Sequence, residues 1–391
     1  MLKSIFTHKP YIILISLSIL VCSAVSIQDV LLGEKTFGNT EVKYTHYNNY
    51  MIFKSSFPHL IQGKSLYRLY PEEHWDLFKY SPSFALSMGI LYGLPDVVGL
   101  FIWNLINFLP LILGLYLLLK ENLSKWWVPL LILLIEAITS LQNEQSNGLM
   151  AGLIILGFLA LEKNRIWGGV LLLSLTVFIK LFGGVAFLLL LMYPWWKKTI
   201  LPLLIWNLIL FILPLPLIGF EELIFQYKEW WILLTNDHAA SYGISILGVL
   251  SSLGIGDKLK LILPMVGLFI LCFPLWKRKS FFNHTLYRML FLASVLIWMV
   301  IFNHKAESPT YVICVSGIII WFFISDRNKW HTILLIATIL LTILSPTDLF
   351  PKYIRETYIV PYNLKAVPCI FIWFTLSIDL ILKLFIKPTR K

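Results

Sequence analysis

The chain has 391 residues, 58% of them hydrophobic and 14% charged, with a mean hydropathy of +0.78. Its apolar residues gather in repeated runs of about 15 to 25, the length of a lipid hydrocarbon core, and a water-soluble fold of this size has no interior for so many. The formal net charge of +11 is scattered over short linkers. It therefore forms no basic face for nucleic acid and reads instead as linkers held on the cytoplasmic side.

The first apolar run, Tyr11 to Ile27, lacks a small-residue cleavage motif near its end and reads as a retained helix. Further spans are expected near 98–119, 126–140, 147–161, 199–219, 259–275, 285–303, 307–324, 331–344 and 366–386, the first lying near 10–28. Pro82 to Leu94 is apolar but too short to cross. Ile166 to Tyr193 is too long for one span. Its centre, Ile179-Lys180-Leu181-Phe182-Gly183-Gly184, predicts two short passes or helices broken around a polar point.

With a cytoplasmic N-terminus, Lys120/Lys125, Lys163/Arg165, Lys197/Lys198, Lys277/Arg278/Lys279, Arg327/Lys329 and Lys387/Arg390/Lys391 fall inside. Most acids, among them Glu41, Glu72, Glu73, Asp76, Glu144, Glu221, Glu222, Asp237 and Glu307, then fall outside. That alternation needs 166–193 to cross twice. The expected fold is an all-α polytopic membrane protein, a single domain over 1–391, with about 11–13 membrane segments. Long non-cytoplasmic segments are expected near 29–80, 220–258 and 345–365. Residues 50–70 and Tyr242 to Leu253 read as interfacial helices, either covering the bundle or roofing a lipid-facing cavity. Cys22, Cys272, Cys314 and Cys369 all lie in apolar runs and read as small buried hydrophobes, not as disulfides or metal ligands.

The polar residues that interrupt this pattern carry the chemistry. Tyr70-Pro71-Glu72-Glu73-His74-Trp75-Asp76 runs on through Lys79-Tyr80-Ser81-Pro82 to the edge of an apolar segment. Pro82 disfavours helix at Ser81, so an extended kink is expected there. Asp76 is either a cap or salt-bridge partner, or a general base beside a partly desolvated cavity. Lys180, inside an apolar run, must snorkel, pair, or face an aqueous cavity, where it suits a phosphate. Glu136, Gln142, Asn143, Glu144, Gln145 and Asn147 surround an outer turn; their amides suit sugar hydroxyls or helix ends. Asn303-His304-Lys305 offers cationic groups on the same side, and Lys352 and Arg355 are weaker candidates. No P-loop, dinucleotide-binding glycine motif, H-E-x-x-H, D-x-D or G-x-S-x-G pattern occurs, so neither an ATP motor nor a nucleotide-sugar domain is expected.

Three stretches resemble the GT-C glycosyltransferases, especially glycosyltransferase family 87: Asn49-Tyr50-Met51-Ile52-Phe53-Lys54, Gly63-Lys64-Ser65-Leu66-Tyr67, and Phe78-Lys79-Tyr80-Ser81-Pro82-Ser83-Phe84-Ala85. Trp103-Asn104-Leu105-Ile106-Asn107, Gln145-Ser146-Asn147 and Ile179-Lys180 extend the likeness in the usual order. The resemblance implies a multispan enzyme of a bacterial inner membrane, with its site facing the periplasm or exterior. It would take a hexose, by family default mannose, from a polyprenyl-phosphate-linked donor and pass it to a lipid or glycan acceptor with inversion. No cofactor or metal is implied.

The chain departs from the family at one point. Asn49 stands where the D-F-x-x-Y pattern carries its aspartate, and an amide is no carboxylate base. Asp76 is the expected base instead, with Glu41 and Asp29 as alternatives and Asn49 orienting donor or acceptor. Lys180 is the first choice for the phosphate, followed by Lys79 and His304, with Gln145 and Asn147 on the sugar. A transporter or flippase for a lipid-linked saccharide, or a noncatalytic assembly protein, remains open at this level.

Overall fold

The computed structural model describes residues 9–38, 41–121, 123, 125–236, 241–281 and 284–385. The chain is a bundle of α-helices with one short hairpin. Helix α1 (Lys9–Leu31) ends at Gly33, whose φ of +69° turns the backbone into β1 (Glu34–Thr36). Antiparallel β2 (Lys43–Thr45) pairs with it, Lys35 opposite Tyr44. Then come α2 (Asn48–Ile61), α3 (Pro82–Ser87), α4 (Asp96–Leu119), α5 (Trp127–Gln142), α6 (Asn147–Glu162) and α7 (Ile166–Ile179). A 3₁₀ run, Leu181–Met192, follows α7. The second half holds α8 (Ile200–Ile212), α9 (Leu215–Asn236), α10 (Ile246–Ser252), α11 (Ile262–Cys272), α12 (Thr285–Ile301), α13 (Tyr311–Ile324), α14 (Lys329–Ala337) and α15 (Val367–Phe385).

Two packing cores organise the bundle. Helices α12 and α13 are largely apolar and buried almost throughout, from Leu290 to Ile297 and from Tyr311 to Ile320, as expected of helices enclosed by others. The second core joins α4 to α6 through small residues. A Cβ on Gly152 would lie 2.7 Å from the Leu111 backbone nitrogen, and one on Gly148 would lie 2.9 Å from the Asn107 carbonyl oxygen. Glycine there lets the two backbones approach, the usual device of helix contacts in lipid.

Among the described residues three helices are long and apolar enough to cross a membrane: Lys9–Leu31, Asp96–Leu119 and Leu364–Leu382. A fourth arises if Trp196–Ile212 and Leu215–Asn236, bent by 90° to one another, count as one broken span. This is fewer than the expected 11–13. The apolar runs are divided into helices of 10–17 residues, and a 16-residue helix such as α6 is about 24 Å long, short of a hydrocarbon core of about 30 Å. The expected break of 166–193 is present. Lys180 is extended (φ −140°, ψ 125°) between α7 and the 3₁₀ run. The segment 220–258, expected on the non-cytoplasmic side, is helical in its first part, α9 running as far as Asn236.

Ser81 shows the predicted extended geometry (φ −68°, ψ 160°), and its Oγ caps α3 by accepting from the Phe84 N–H at 3.1 Å. The bundle's outward surface is apolar, with Leu20, Leu204, Leu208, Met265 and Phe269 all exposed. The protein is membrane-associated: such a surface has no stable place in water.

Candidate active site

Five backbone breaks meet at one end of the bundle: the start of α2, the loop 70–81, the α5–α6 turn, the extended residue Lys180, and the turn 302–310. They enclose a cavity of about 700 Å³. Its polar wall contains Asn48, Asn49, Asp76, Lys79, Gln145, Lys180, Asn303, His304, Lys305 and Glu307; Phe37, Phe53, Trp75, Tyr80 and Phe182 add aromatic faces.

The loop 70–81 is held from three sides. Tyr44 of the hairpin donates its hydroxyl to the Pro71 carbonyl at 2.8 Å and packs its ring against Trp75. Asn48 makes two 2.8 Å hydrogen bonds to Trp75, donating to its carbonyl and accepting from its N–H. Trp230 of α9 donates its indole N–H to the Lys79 carbonyl at 3.1 Å. Beneath the loop, Phe53, Tyr80, Phe84 and Trp103 stack and edge-pack into one aromatic cluster. Within the loop Asp76 adopts φ +75°, a left-handed geometry that aspartate accepts more readily than most residues. Its Oδ1 accepts from the Leu77 N–H at 2.7 Å, and its Oδ2 lies 3.4 Å from Lys79 Nζ. The carboxylate is half-exposed and faces the cavity.

A polar relay crosses the opposite wall. Lys180 Nζ donates to Asn147 Oδ1 at 2.8 Å, Asn147 Nδ2 to Gln145 Oε1 at 2.7 Å, and Gln145 Nε2 to Glu307 Oε2 at 2.6 Å. The ammonium also lies 5.7 Å from the Tyr80 ring centroid, a cation–π distance. Its direct hydrogen-bond partner is a neutral amide, so its positive charge is available to an anion in the cavity.

Of the residues expected from sequence, Asp76, Asn49, Lys79, Lys180, Gln145 and His304 all line this one cavity. Asn147 lies behind the wall and orients Lys180 and Gln145. Asn49 Nδ2 donates to the Asn143 carbonyl at 2.9 Å, tying α2 to the α5–α6 turn. Among the three carboxylates named as possible bases, Asp76 alone lines the cavity. Asp29 is buried at the end of α1, its Oδ2 without a hydrogen-bond partner among the described residues, and Glu41 is exposed in the connection between β1 and β2.

Two acids at and before the α5–α6 turn are buried in the bundle and do not line the cavity. Glu136 is fully buried and pairs with Lys365 at 2.8 Å. Glu144, at φ +47°, is also buried, with one carboxylate oxygen that has no hydrogen-bond partner among the described residues. Burial, and then the charge of Asp29, holds the Glu144 carboxyl well above its ordinary range. Arg355 is engaged elsewhere, 3.0 Å from Asp348.

Sequence reading missed Glu307 and Asn48. Glu307-Ser308-Pro309-Thr310 has the look of a helix start with proline in its first turn, and the Glu307 N–H does donate to Thr310 Oγ1 at 3.2 Å. That signal located the turn but not its contact with Gln145, which is 162 positions away. Asn48 was overshadowed by its neighbour Asn49.

A second depression, of about 600 Å³, adjoins the cavity and shares Leu181 and Leu234 with it. Phe178, Phe211, Ile224, Tyr227, Trp230 and Trp231 line it, so it is almost wholly apolar.

No curated protein matches the chain. The family model for glycosyltransferase family 87 matches residues 78–346. That stretch contains Lys79, Gln145, Asn147, Lys180, His304 and Glu307, the cationic and amide wall of the cavity, while Asn49 and Asp76 precede it. A match over well more than half the chain, on an apolar helical bundle, means that this membrane-associated protein belongs to glycosyltransferase family 87, within the GT-C superfamily.

Proposed function

We propose that the protein transfers a hexose from a polyprenyl-phosphate-linked donor to a hydroxyl of a lipid or glycan acceptor on the non-cytoplasmic side of a multispan membrane fold. Mannose is the default donor sugar. The observation that supports this reading is a cavity lined together by the Asp76 carboxylate, Lys79, Lys180 and His304, its other carboxylate, Glu307, being engaged by Gln145. The adjoining apolar groove supports it, because a polyprenyl donor needs a dry channel for its chain beside a polar seat for its phosphate.

In this reading Asp76 accepts the proton of the acceptor hydroxyl as its oxygen attacks the anomeric carbon. The bond from that carbon to the phosphate oxygen breaks, and its electron pair leaves on polyprenyl phosphate. Attack from the face opposite the phosphate inverts the anomeric centre. Lys180, with Lys79 and His304, meets the negative charge that develops on the leaving phosphate, where fixed cations in a water-poor site are most effective. Asn49 and Gln145 hold hydroxyls by hydrogen bonds.

The test is transfer by the purified, reconstituted protein, offered a panel of labelled polyprenyl-phosphate sugars and lipid-extract acceptors. Wild type should form a glycan product, and folded Asp76→Asn should lose about 10²–10⁴-fold in rate, the usual worth of a general base. Equal rates would remove Asp76 from the reaction. Movement of intact lipid-linked sugar across the vesicle, with no new glycosidic bond, would make the protein a transporter.

A further inference from the structure

The Asp76 carboxylate is half-exposed, and its own contacts are slight: the next N–H in the chain and Lys79 at 3.4 Å. Packing does not set where it points. Its backbone does, at φ +75°, and that backbone is gripped at the preceding residue by Asn48. The Asn48 amide, buried at 5% exposure, donates to the Trp75 carbonyl and accepts from the Trp75 N–H, both at 2.8 Å. The bonded carbonyl belongs to the peptide unit that joins Trp75 to Asp76. Rotation of that unit would swing the carboxylate.

Asn48 is itself anchored. Asn49 holds the Asn143 carbonyl at 2.9 Å, and Tyr47 donates its hydroxyl to Asp96 Oδ2 at 3.2 Å. A carboxylate on a loop is thus referred to the fixed end of a helix through one amide. Asparagine suits this because it carries a donor and an acceptor side by side; aspartate would offer two acceptors and repel the Trp75 carbonyl.

We propose that Asn48 is a positioning residue, setting the Trp75–Asp76 peptide and through it the place of the Asp76 carboxylate in the cavity. This rests on the reading of Asp76 as the base. Both asparagines line the cavity, but their tasks differ: Asn49 ties α2 to the α5–α6 turn, and Asn48 aims the carboxylate that does the work expected of an aspartate at position 49.

The experiment is a double-mutant cycle on the full-length reconstituted protein, with Asn48→Ala, Asp76→Asn and their combination, scored for kcat and donor KM. Asn48→Ala is expected to lower kcat by about 10²-fold, the cost of a base displaced by about 1 Å, with donor KM changed by less than about threefold. The combined variant should be no slower than Asp76→Asn, since an aim without a base has no effect. A wild-type kcat in Asn48→Ala overturns the proposal. So does multiplication of the two losses, which would mean that Asn48 acts apart from Asp76. Should Asn48→Ala fail to fold, Asn48→Asp, which keeps the acceptor and loses the donor, takes its place in the same cycle with the same expected and overturning outcomes. Full activity in Asp76→Asn alone would overturn the base reading itself, and is told apart because it appears with Asn48 intact.

Discussion

Lys180 is the cation with the most restricted seat in the cavity, its ammonium fixed by Asn147 and flanked by the rings of Tyr80 and Phe182. Replacing it with alanine is expected to weaken donor binding by about 1.5–3 kcal/mol, the range of a hydrogen bond to a charged group. A binding isotherm with a labelled polyprenyl-phosphate sugar measures this, and unchanged affinity would remove Lys180 from the phosphate seat. Glu144 makes a different prediction, in pH. Its carboxyl is held above its ordinary 4.5, chiefly by burial and next by Asp29, against the opposing pull of Lys35. The folded chain therefore keeps this proton to higher pH than the unfolded chain does. The stability it contributes is present below pH 4.5 and is lost as pH rises through the raised value. Glu144→Gln should match wild type in thermal unfolding near pH 4.5 and exceed it increasingly above. A difference that stays flat with pH would refute the assignment.

Among the elements, the break at Lys180 shows how local chemistry and packing divide the work. A lysine inside an apolar run, followed by two glycines, marked 179–184 in the sequence as a place where no single helix continues. The two glycines are nonetheless unequal. A Cβ on Gly183 would lie 2.6 Å from the carbonyl carbon and oxygen of Thr176, whereas one on Gly184 would meet nothing within 4 Å. Gly183→Ala is expected to cost about 1–3 kcal/mol by overpacking, and Gly184→Ala less than about 0.5 kcal/mol; paired thermal melts decide it. Helix α9 teaches the reverse lesson. Its second half carried no contact signal in the sequence, yet Gln226 binds the Lys64 carbonyl at 2.8 Å and the Leu66 N–H at 3.1 Å, and Trp230 binds the Lys79 carbonyl. Those contacts cross more than 150 positions and leave no periodic trace in the chain.

At the scale of the molecule, two buried ion pairs tie distant helices together. At the end away from the cavity, Glu162 takes two hydrogen bonds from Arg288, at 2.6 and 2.7 Å, and one from Tyr193 at 2.6 Å, joining α6, α12 and the 3₁₀ run. Nearer the cavity, Lys365 reaches Glu136 at 2.8 Å and Ser308 Oγ at 2.9 Å, fixing the turn that carries Glu307 against α5. Lys365→Met strands a fully buried carboxylate and is expected to cost about 3–5 kcal/mol, most of it restored by adding Glu136→Leu. Thermal unfolding of the single and double variants checks this, and equal loss in both would mean that the pair is not the source.

The sequence by itself determined the apolar class, the interruption at Lys180, the kink at Ser81, and most of the polar residues that meet in the cavity, because each is a local conflict between a side chain and its solvent. Tertiary structure decided how many runs form helices long enough to cross a membrane, since that depends on where each helix bends or stops. It also decided that Asp76, and neither Asp29 nor Glu41, reaches the cavity, that Glu136 and Glu144 are buried in the bundle, and that Asn48 grips Trp75. Each of these depends on which segments become neighbours, and hydrogen bonds between segments tens to hundreds of residues apart are set by packing, which no local pattern of residues encodes.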